Sequence, residues 1–450
     1  MKLLLISMGC AKNGTDSERL AAMLKEAGHA LAAPEEKQAD AAILNTCGFI
    51  QDAVKENVDA ILDLEAMKER GDVKKIVVIG CLVNRYEAEL RAEIPSVDLW
   101  ARVGEWGSVI KFLADEAHDT PPAGGTPSLL RVLLPGAAPW SRSLKVSEGC
   151  GAACSYCTIP AIRGPLVSVP IGVLIAEAKS LAADGAKEIC MVAQDITDYG
   201  RDMYGQPEAA SLIRRLSAAL DPDMWLRVMY ANPDGITPEF LDALLESENV
   251  PRYLDMPIQH IDDEILAAMN RGSSAGIRSV ISRLRAADPS FAIRTTLMVG
   301  FPGETEEKFR ALLDFIEEAE LDRVGVFPYS PEEGTASAQQ AAGTPVPDEV
   351  KAERVCRLME AQASISRRRG SAMIGRTLKV LVEDEDDSGS SPSGTAWGRS
   401  YRDAPEVDGL VCISISAGVA ARGERVRVGE FAKVKIDDAE DHDLFGTLAF

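Results

Sequence analysis

The run Cys150-Gly-Ala-Ala-Cys154-Ser-Tyr-Cys157 constrains this chain more than any other feature, because it gathers three thiols in one short loop. The loop follows an apolar stretch at residues 144–146 and precedes residues 158–160, so it lies where a strand ends and the next element begins. The nine cysteines in 450 residues are too sparse for a disulfide scaffold. They suit a reducing compartment in which thiolates bind metal.

The spacing C-x-x-x-C-x-x-C favours an iron–sulfur cluster. An iron–sulfur cube normally takes four cysteine ligands, so three ligands leave one iron open to a small molecule. Zinc sites more often use paired C-x-x-C knuckles or knuckles with histidines, and neither accompanies this loop. Zinc and purely structural thiols remain the alternatives. We predict that Cys150, Cys154 and Cys157 hold a [4Fe–4S] cluster with an open iron.

A second set of cysteines, Cys10, Cys47 and Cys81, follows three apolar runs directly. The intervals between them each match one strand–helix unit of about 30 residues or more. Because the carboxyl ends of parallel strands share one edge of a sheet, these thiols can meet there. Buried core thiols are the alternative, since free cysteine is often buried. Three cysteines at the same topological position favour a shared ligand, and we predict a second [4Fe–4S] cluster.

The overall charge bounds the class of partner. The chain carries 70 acidic and 48 basic residues, a net charge of −22. Nucleic-acid binders usually show a basic footprint, so the whole chain prefers a basic partner, unless the acidity serves only solubility. No apolar run approaches the ~20 residues that a membrane span requires. We predict a cytoplasmic protein without membrane contact.

The length allows two or three domains, and the fold class is predicted as α/β. Residues 1–117 alternate short apolar runs with helical periodicity, which predicts an open parallel sheet. Its clearest strands are expected at 3–6, 41–44 and 76–79, and its helices at 17–27 and 54–68. Residues 118–142 collect prolines and glycines and are predicted to form a linker.

From residue 143 the strand–helix rhythm resumes and continues to residue 373. Six strand candidates predict a partial (β/α)6 barrel with one side open for a large substrate. These strands are expected at 144–147, 187–193, 225–229, 253–256, 292–299 and 323–327. A long helix at about 348–373 closes the region.

Residues 374–450 lose the helical periodicity and are predicted to form a small antiparallel β-barrel of the OB type. The strand candidates lie at 377–382, 410–415, 426–428 and 432–436, and an acidic loop is expected at 383–392.

The cysteine loop, with Tyr156 before its third cysteine, resembles the radical S-adenosylmethionine (SAM) superfamily. In that family SAM chelates the open iron and is cleaved to a radical that abstracts hydrogen from carbon. The chain also resembles the methylthiotransferases over nearly its whole length, including their C-terminal TRAM domain, which binds substrate. The strings that carry this second resemblance are Ser7-Met-Gly-Cys-Ala-Lys-Asn13, Asn45-Thr-Cys-Gly-Phe-Ile50, Gly80-Cys-Leu82 and Glu148-Gly-Cys150 through Arg163-Gly164.

Further strings are similar to the methylthiotransferases that act on ribosomal protein S-twelve of the small subunit. They are Val192-Ala-Gln-Asp195, Tyr253-Leu-Asp-Met-Pro-Ile-Gln-His260, Met269-Asn-Arg271, Gly300-Phe-Pro-Gly-Glu-Thr305 and Ala404-Pro-Glu-Val-Asp-Gly409. This resemblance implies methylthiolation of an aspartate β-carbon, two clusters, SAM as radical source and methyl donor, an electron donor and a sulfur donor. Transfer RNA-modifying relatives share both cluster motifs, so a transfer RNA adenosine methylthiotransferase is the alternative.

The charge of the C-terminal region bears on that choice. Residues 375–450 contain 15 acidic and nine basic residues. A barrel that grips RNA should present positive charge to phosphate, whereas this one should attract a basic ribosomal protein. We therefore expect nucleic-acid contact only through the ribosome. An iron–sulfur electron carrier is a more distant alternative, because it would need neither a six-unit barrel nor three-cysteine sites.

The six cysteines are the predicted catalytic residues as well as the cluster ligands. For SAM, polar residues at strand ends facing the barrel mouth and a glycine turn are the best candidates. The predicted cofactor contacts are Tyr156, Gln194, Gln259, Arg294, Gly300 and Gly303.

Overall fold

A computed structural model describes three successive regions of the chain. It covers residues 1–33, 36, 38–114, 130–341, 345–386, 394–415 and 426–449. Residues 118–129 of the predicted linker and 387–392 of the predicted acidic loop lie outside the described residues. No helix in the part of the chain that the structure describes is long and apolar enough to cross a membrane.

The first region is a five-stranded parallel sheet in the order β2-β1-β3-β4-β5. Its elements are β1 (Lys2–Ser7), α1 (Ala11–Glu26), β2 (Ala30–Leu31), β3 (Ala41–Thr46), α2 (Gln51–Glu69), β4 (Lys75–Gly80), α3 (Cys81–Glu93), β5 (Leu99–Ala101) and α4 (Trp106–Leu113). Strand β3 is buried throughout, with Ala42 and Leu44 in one core and Ala41 and Ile43 in the other. Because helices cover both faces, its apolar run does not alternate with polar residues.

Helix α1 begins at Ala11, well before the helical pattern that the sequence predicts at 17–27. Its first turns carry polar side chains that are nevertheless buried, including Lys12, Asn13 and Asp16. Apolar periodicity cannot detect a buried polar face. Since burying polar groups is costly unless they find partners, this face indicates contact with a polar site.

The second region is an arc of six parallel strands, as predicted. Two three-stranded sheets, β6-β9-β10 and β11-β12-β13, follow each other around the arc. The elements are β6 (Ser141–Lys145), β7 (Ser147–Glu148), α5 (Ile159–Arg163), β8 (Val167–Ser168), α6 (Ile171–Ala183), β9 (Glu188–Val192), α7 (Arg201–Tyr204), α8 (Ala209–Ala219), β10 (Trp225–Val228), a 3-10 turn (Pro233–Gly235), α9 (Pro238–Glu246), β11 (Tyr253–Asp255), α10 (Asp263–Ala268), α11 (Ser274–Ala287), β12 (Ala292–Val299), α12 (Glu306–Ala319), β13 (Arg323–Pro328), α13 (Ala336–Ala341) and α14 (Asp348–Ser371).

Between the two sheets of the arc, the Ala231 N–H donates to the Asp255 carbonyl at 2.9 Å, which keeps the sheets adjacent. In the described part of the arc, four helices begin at a residue whose side chain caps them. Asp262 accepts hydrogen bonds from the first N–H groups of α10, and Thr305 caps α12 in the same way.

The third region is a closed five-stranded barrel in the order β14-β15-β16-β18-β17. Its strands are β14 (Thr377–Glu385), β15 (Thr395–Ser400), β16 (Val411–Ser414), β17 (Phe431–Ala439) and β18 (Leu444–Ala449). Four neighbouring pairs are antiparallel as predicted, whereas β16 and β18 run parallel. The sequence pattern missed β15 and β18 because each contains an internal glycine, Gly398 or Gly446, which weakens a strand signal.

The strand predicted at residues 426–428 is wrong. Val426 contributes to the core of the barrel without belonging to a strand, and Gly429 then turns the chain with a φ of +84°. Because Val426 is buried in the core, this short segment is apolar, and its sequence pattern therefore resembled that of a strand.

Buried ion pairs join the third region to the amino ends of the arc. Residues 399–408 lie against this end, where Arg399 donates to Glu188 at 2.6 Å and Arg402 donates to Asp322 at 3.0 Å. Glu188 opens β9, and Asp322 immediately precedes β13. Because the third region covers the amino ends of the strands, their carboxyl ends are the end of the arc at which a site is expected.

Candidate active site

All six predicted cluster cysteines line one cavity of about 340 Å³. Cys10, Cys47 and Cys81 lie directly after β1, β3 and β4, which are neighbours in the first sheet. The second triad comes from the loop between β7 and α5. Gln194, after β9, and Tyr230, after β10, also line the cavity, so the carboxyl edges of two different parallel sheets face the same space.

Tight packing around the first triad depends on glycine. A Cβ atom on Gly9 would lie 2.7 Å from the Cβ of Cys47, and one on Gly48 would lie 2.8 Å from the Cα of Leu82. Gly9 also has a φ of +90°, which side chains other than glycine rarely adopt. The glycines beside these cysteines thus allow the three strand ends to converge.

The second triad is held by the segment that follows α10. Ser155 donates to the Ala268 carbonyl at 2.8 Å, and the Asn270 side chain donates to the Ala153 carbonyl at 2.9 Å. Within the loop, the Cys157 N–H donates to the Cys154 carbonyl at 3.1 Å. These bonds give the loop a defined shape before any ligand binds.

The thiols fit metal ligands better than free nucleophiles. Burial raises the pKa of Cys157 to about 12 and that of Cys81 to about 11, so both are neutral at physiological pH when nothing is bound. Cys10 is exposed as a residue, and although desolvation of its thiol opposes ionisation, the Lys12 ammonium and the Asn13 N–H outweigh it and lower the pKa of Cys10. A coordinating metal deprotonates a thiol outright.

No three His, Cys, Asp or Glu side chains among the described residues are placed to hold a single metal ion. A cube of iron and sulfide separates its cysteine ligands more widely than one ion does, so this finding applies to single ions and not to clusters. All six cysteines are free of disulfides. Two sets of three thiols around one cavity fit two iron–sulfur clusters in donor type and in number.

Arg163, which sequence reasoning did not single out, connects the two triads. It ends α5 and donates from Nε to the Sγ of Cys81 at 3.1 Å. Its other nitrogens donate to Asp16 at 3.0 Å, to Glu148 at 2.9 Å and to the side chain of Asn13. The guanidinium is thus fully engaged and ties the strand end at Cys81 to the cysteine loop.

Three of the predicted SAM contacts, Tyr156, Gln194 and Gln259, line the cavity. Gln194 donates to Glu148 at 2.8 Å. Gln259 has a φ of +69°, an unusual backbone conformation for a residue with a side chain. Arg271, missed by the sequence analysis, also lines the cavity and donates to the hydroxyl of Tyr156 at 3.3 Å.

Arg294 is placed elsewhere, where it donates to Asp255 at 2.8 Å and to Asp408 at 3.2 Å. It lies near the amino end of β12, and Thr296 is the residue of that strand that reaches the cavity. The alternation of side chains along β12 identifies the face that points toward the cavity. It does not show which residue of that face is the first to reach the cavity.

Gly300 and Gly303 form the turn between β12 and α12, with φ values of +77° and +86°. Neither is among the described residues that line the cavity. The Gly300 N–H donates to Glu304 instead, so the turn serves the entry into α12.

Three family models match successive parts of the chain, and together they define its class. They are described as "Uncharacterized protein family UPF0004" for residues 2–102, "Radical SAM superfamily" for residues 144–316 and "TRAM domain" for residues 374–448. Solved structures share the fold at low identity. The radical SAM methyltransferase TsrM from Kitasatospora setae, solved with cobalamin and a [4Fe–4S] cluster, has a TM-score of 0.53 and 17% identity over 77% of this chain and 79% of that one.

The particular family follows from relatives that match from end to end. Proteins named ribosomal protein uS12 methylthiotransferase are 41% identical in Geobacter sulfurreducens and 40% identical in Chloroherpeton thalassium, each over 99% of this chain and 98% of the relative. A third, from Syntrophus aciditrophicus, is 41% identical over 99% of this chain and 97% of its own length. The chain belongs to this family of radical SAM methylthiotransferases.

Proposed function

We propose that this chain transfers a methylthio group to the β-carbon of an aspartate in ribosomal protein uS12, the small-subunit protein S-twelve. The observation that carries the proposal is the end-to-end similarity to proteins named for this activity. The two thiol triads around one cavity supply a site for the chemistry.

The site assignment is part of the proposal. Cys150, Cys154 and Cys157 would hold one [4Fe–4S] cluster, and Cys10, Cys47 and Cys81 a second. When bound, the clusters and SAM supply the radical that abstracts hydrogen, the sulfur atom that is inserted and the methyl group that caps it. The protein's part is to bring both groups to the same cavity and to position SAM, for which we infer contacts from Tyr156, Gln194 and Gln259.

We infer three functional units. Residues 1–117 would carry the sulfur-bearing cluster, residues 143–373 would form the radical SAM domain, and residues 374–450 would bind substrate. Residues 118–142 would be the linker, except that its last two residues already belong to β6. The reaction also needs an electron donor and a sulfur donor, and the cytoplasm is the compartment in which ribosomal proteins are reached.

The third region supports a protein substrate over RNA. Two of its arginines, Arg399 and Arg402, are 1% and 3% exposed and are engaged in internal ion pairs, so they cannot meet phosphate. Asp437, Asp438 and Glu440 are exposed near the end of β17, where Lys433 and Lys435 of the same strand are exposed as well. The excess of acidic over basic residues in the region as a whole favours a basic ribosomal protein.

The test is the intact mass of small-subunit ribosomal proteins from cells with and without the gene for this chain. We expect uS12 to lose the mass of one methylthio group when the gene is absent, and to regain it when the gene is restored. An unchanged mass of uS12 would contradict the proposed substrate. Analysis of transfer RNA nucleosides from the same cells would then show whether the alternative substrate is modified.

A further inference from the structure

Three cationic side chains line the cavity, and they differ in their partners. Arg163 forms an ion pair with Asp16 at 3.0 Å, and Arg271 lies 3.7 Å from a carboxylate oxygen of Asp234. Lys12 has no carboxylate oxygen within 4.0 Å among the residues that the structure describes. Among the described residues it is therefore the cavity cation without a carboxylate partner, and its main electrostatic attraction is to the Cys10 thiol group, whose ionisation it favours.

The surroundings of Lys12 leave it with capacity to bind an anion. Its side chain is buried, with only 9% of the residue exposed. The Nζ donates to the Ala193 carbonyl at 3.2 Å and lies 3.8 Å from the centre of the Tyr230 ring. An ammonium has three donors, and this arrangement uses one of them in a hydrogen bond. Buried lysines are rare unless they are paired. Lys12 has no carboxylate partner among the described residues, although the chain contains more acidic than basic residues.

A second observation comes from Tyr230, whose ring supports the ammonium. Its φ is +63°, a conformation that costs free energy for a residue with a bulky side chain. The backbone is held there from both sides, because its N–H donates to Asp255 at 3.1 Å and its carbonyl accepts from the Ile196 N–H at 3.1 Å. Strain maintained at a cavity wall is typical of a functional site.

We infer that Lys12 binds the side-chain carboxylate of the substrate aspartate and thereby determines which residue is modified. This inference rests on the proposed function, which supplies a carboxylate next to the reacting carbon. Lys12 is two residues from Cys10 in the turn that begins α1, so an anion bound to it lies beside the first thiol triad. Pairing with the ammonium would place the β-carbon of the aspartate in the shared cavity.

The test measures binding of two uS12-derived peptides to the reconstituted enzyme, one with the target aspartate and one with asparagine in its place. For the unmodified enzyme we expect the aspartate peptide to bind roughly 10–100-fold more tightly, as a buried charge-assisted pair allows. In Lys12→Met and in the more polar Lys12→Gln this preference should fall to about onefold, because the carboxylate loses its partner. Lys12→Arg should keep part of it.

A matched control is Lys75→Met. The ammonium of Lys75 also lies over an aromatic ring, 4.8 Å from the centre of Phe112, but it is at the first residue of β4, at the end of that strand remote from Cys81. Its peptide preference should equal that of the unmodified enzyme. Iron content and the visible spectrum show whether each variant still carries its clusters.

Three outcomes would overturn the inference. The first is a preference for aspartate that persists in either neutral variant. The second is an equal loss of affinity for both peptides, which would indicate a structural role for Lys12. The third is weakened SAM binding with an unchanged peptide preference, which would place the ammonium on the cofactor. The proposed function would fail separately, if the unmodified enzyme did not methylthiolate the aspartate peptide.

Discussion

The cysteines show how one residue type takes different roles according to its position. Six of the nine line the cavity, whereas Cys190 lies within a buried strand and Cys356 on the exposed face of α14. Desolvation raises the pKa values of the cavity thiols Cys81, which is buried, and Cys157, which is half-buried, and this suppresses their chemistry until a metal binds. Position directly after a strand or in the loop between β7 and α5, rather than residue type, distinguishes the six.

Alanine substitutions should separate the two triads. Alanine at any one of the three loop cysteines should abolish formation of 5′-deoxyadenosine from SAM, because that cluster would lose a ligand. Alanine at Cys10, Cys47 or Cys81 should preserve deoxyadenosine formation and abolish methylthiolated product. Chromatography of the SAM products and mass analysis of the substrate measure both. Cys356→Ala is the control, and deoxyadenosine formation by all three loop variants would contradict the assignment.

Among the elements, the helices α1, α3 and α5 meet at Arg163. The guanidinium reaches Asp16 on α1, Cys81 at the start of α3 and Glu148 before the cysteine loop. Buried ion pairs contribute little net stability relative to apolar packing, but removing one partner leaves an uncompensated charge. Arg163 therefore matters most for where these elements lie relative to one another.

We expect Arg163→Gln to lower the free energy of unfolding by about 3 kcal/mol, because the Asp16 carboxylate loses one of its buried cationic partners. Urea unfolding measures the change, and iron content after reconstitution should fall as well. Arg201→Gln is a suitable control, since the Arg201 side chain is 55% exposed and pairs with Asp198, three residues away. It should change stability by no more than about 0.5 kcal/mol. Equal effects of the two substitutions would contradict a central role for Arg163.

At the scale of the whole molecule, the junction between the arc and the third region gives a pH dependence. Burial opposes ionisation of Glu188, but the guanidinium groups of Arg399 and Arg227 outweigh it and lower the pKa of Glu188 from its usual 4.5 to about 2. A carboxyl whose pKa is lowered in the folded state contributes stability above its unfolded pKa, and the contribution is lost as pH falls through the folded value.

Stability at this junction should therefore decline between about pH 4.5 and pH 2. In Arg399→Met the pKa of Glu188 should rise toward its usual value, so the decline over this range should become shallower and the stability at neutral pH lower. Urea unfolding at a series of pH values measures both. If the free energy of unfolding of the unmodified protein and of Arg399→Met fell with the same slope over this pH range, the ion pair between Arg399 and Glu188 would not couple the arc to the third region.

Local sequence patterns predicted the strands of the arc well, whereas in the first region they missed the start of α1. Each strand of the arc ends close to its predicted position because an apolar run bounded by turns is a local property. The start of α1 escaped detection because Lys12, Asn13 and Asp16 are polar and buried at once. Asn13 and Asp16 contact Arg163 at the end of α5, and Lys12 contacts Ala193 and Tyr230, so their burial depends on residues more than a hundred positions away.

The sequence by itself determined the alternation of strands and helices in the first two regions, the position of the first triad at strand ends and that of the second triad in one loop, since these follow from periodicity, spacing and the geometry of parallel sheets. Only the tertiary structure decided that the triads share a cavity, that Arg294 lies outside it and that Arg163 pairs with carboxylates whereas Lys12, among the described residues, does not. The reason is physical: ion pairing and burial depend on side chains that are distant in sequence, and no local pattern records them.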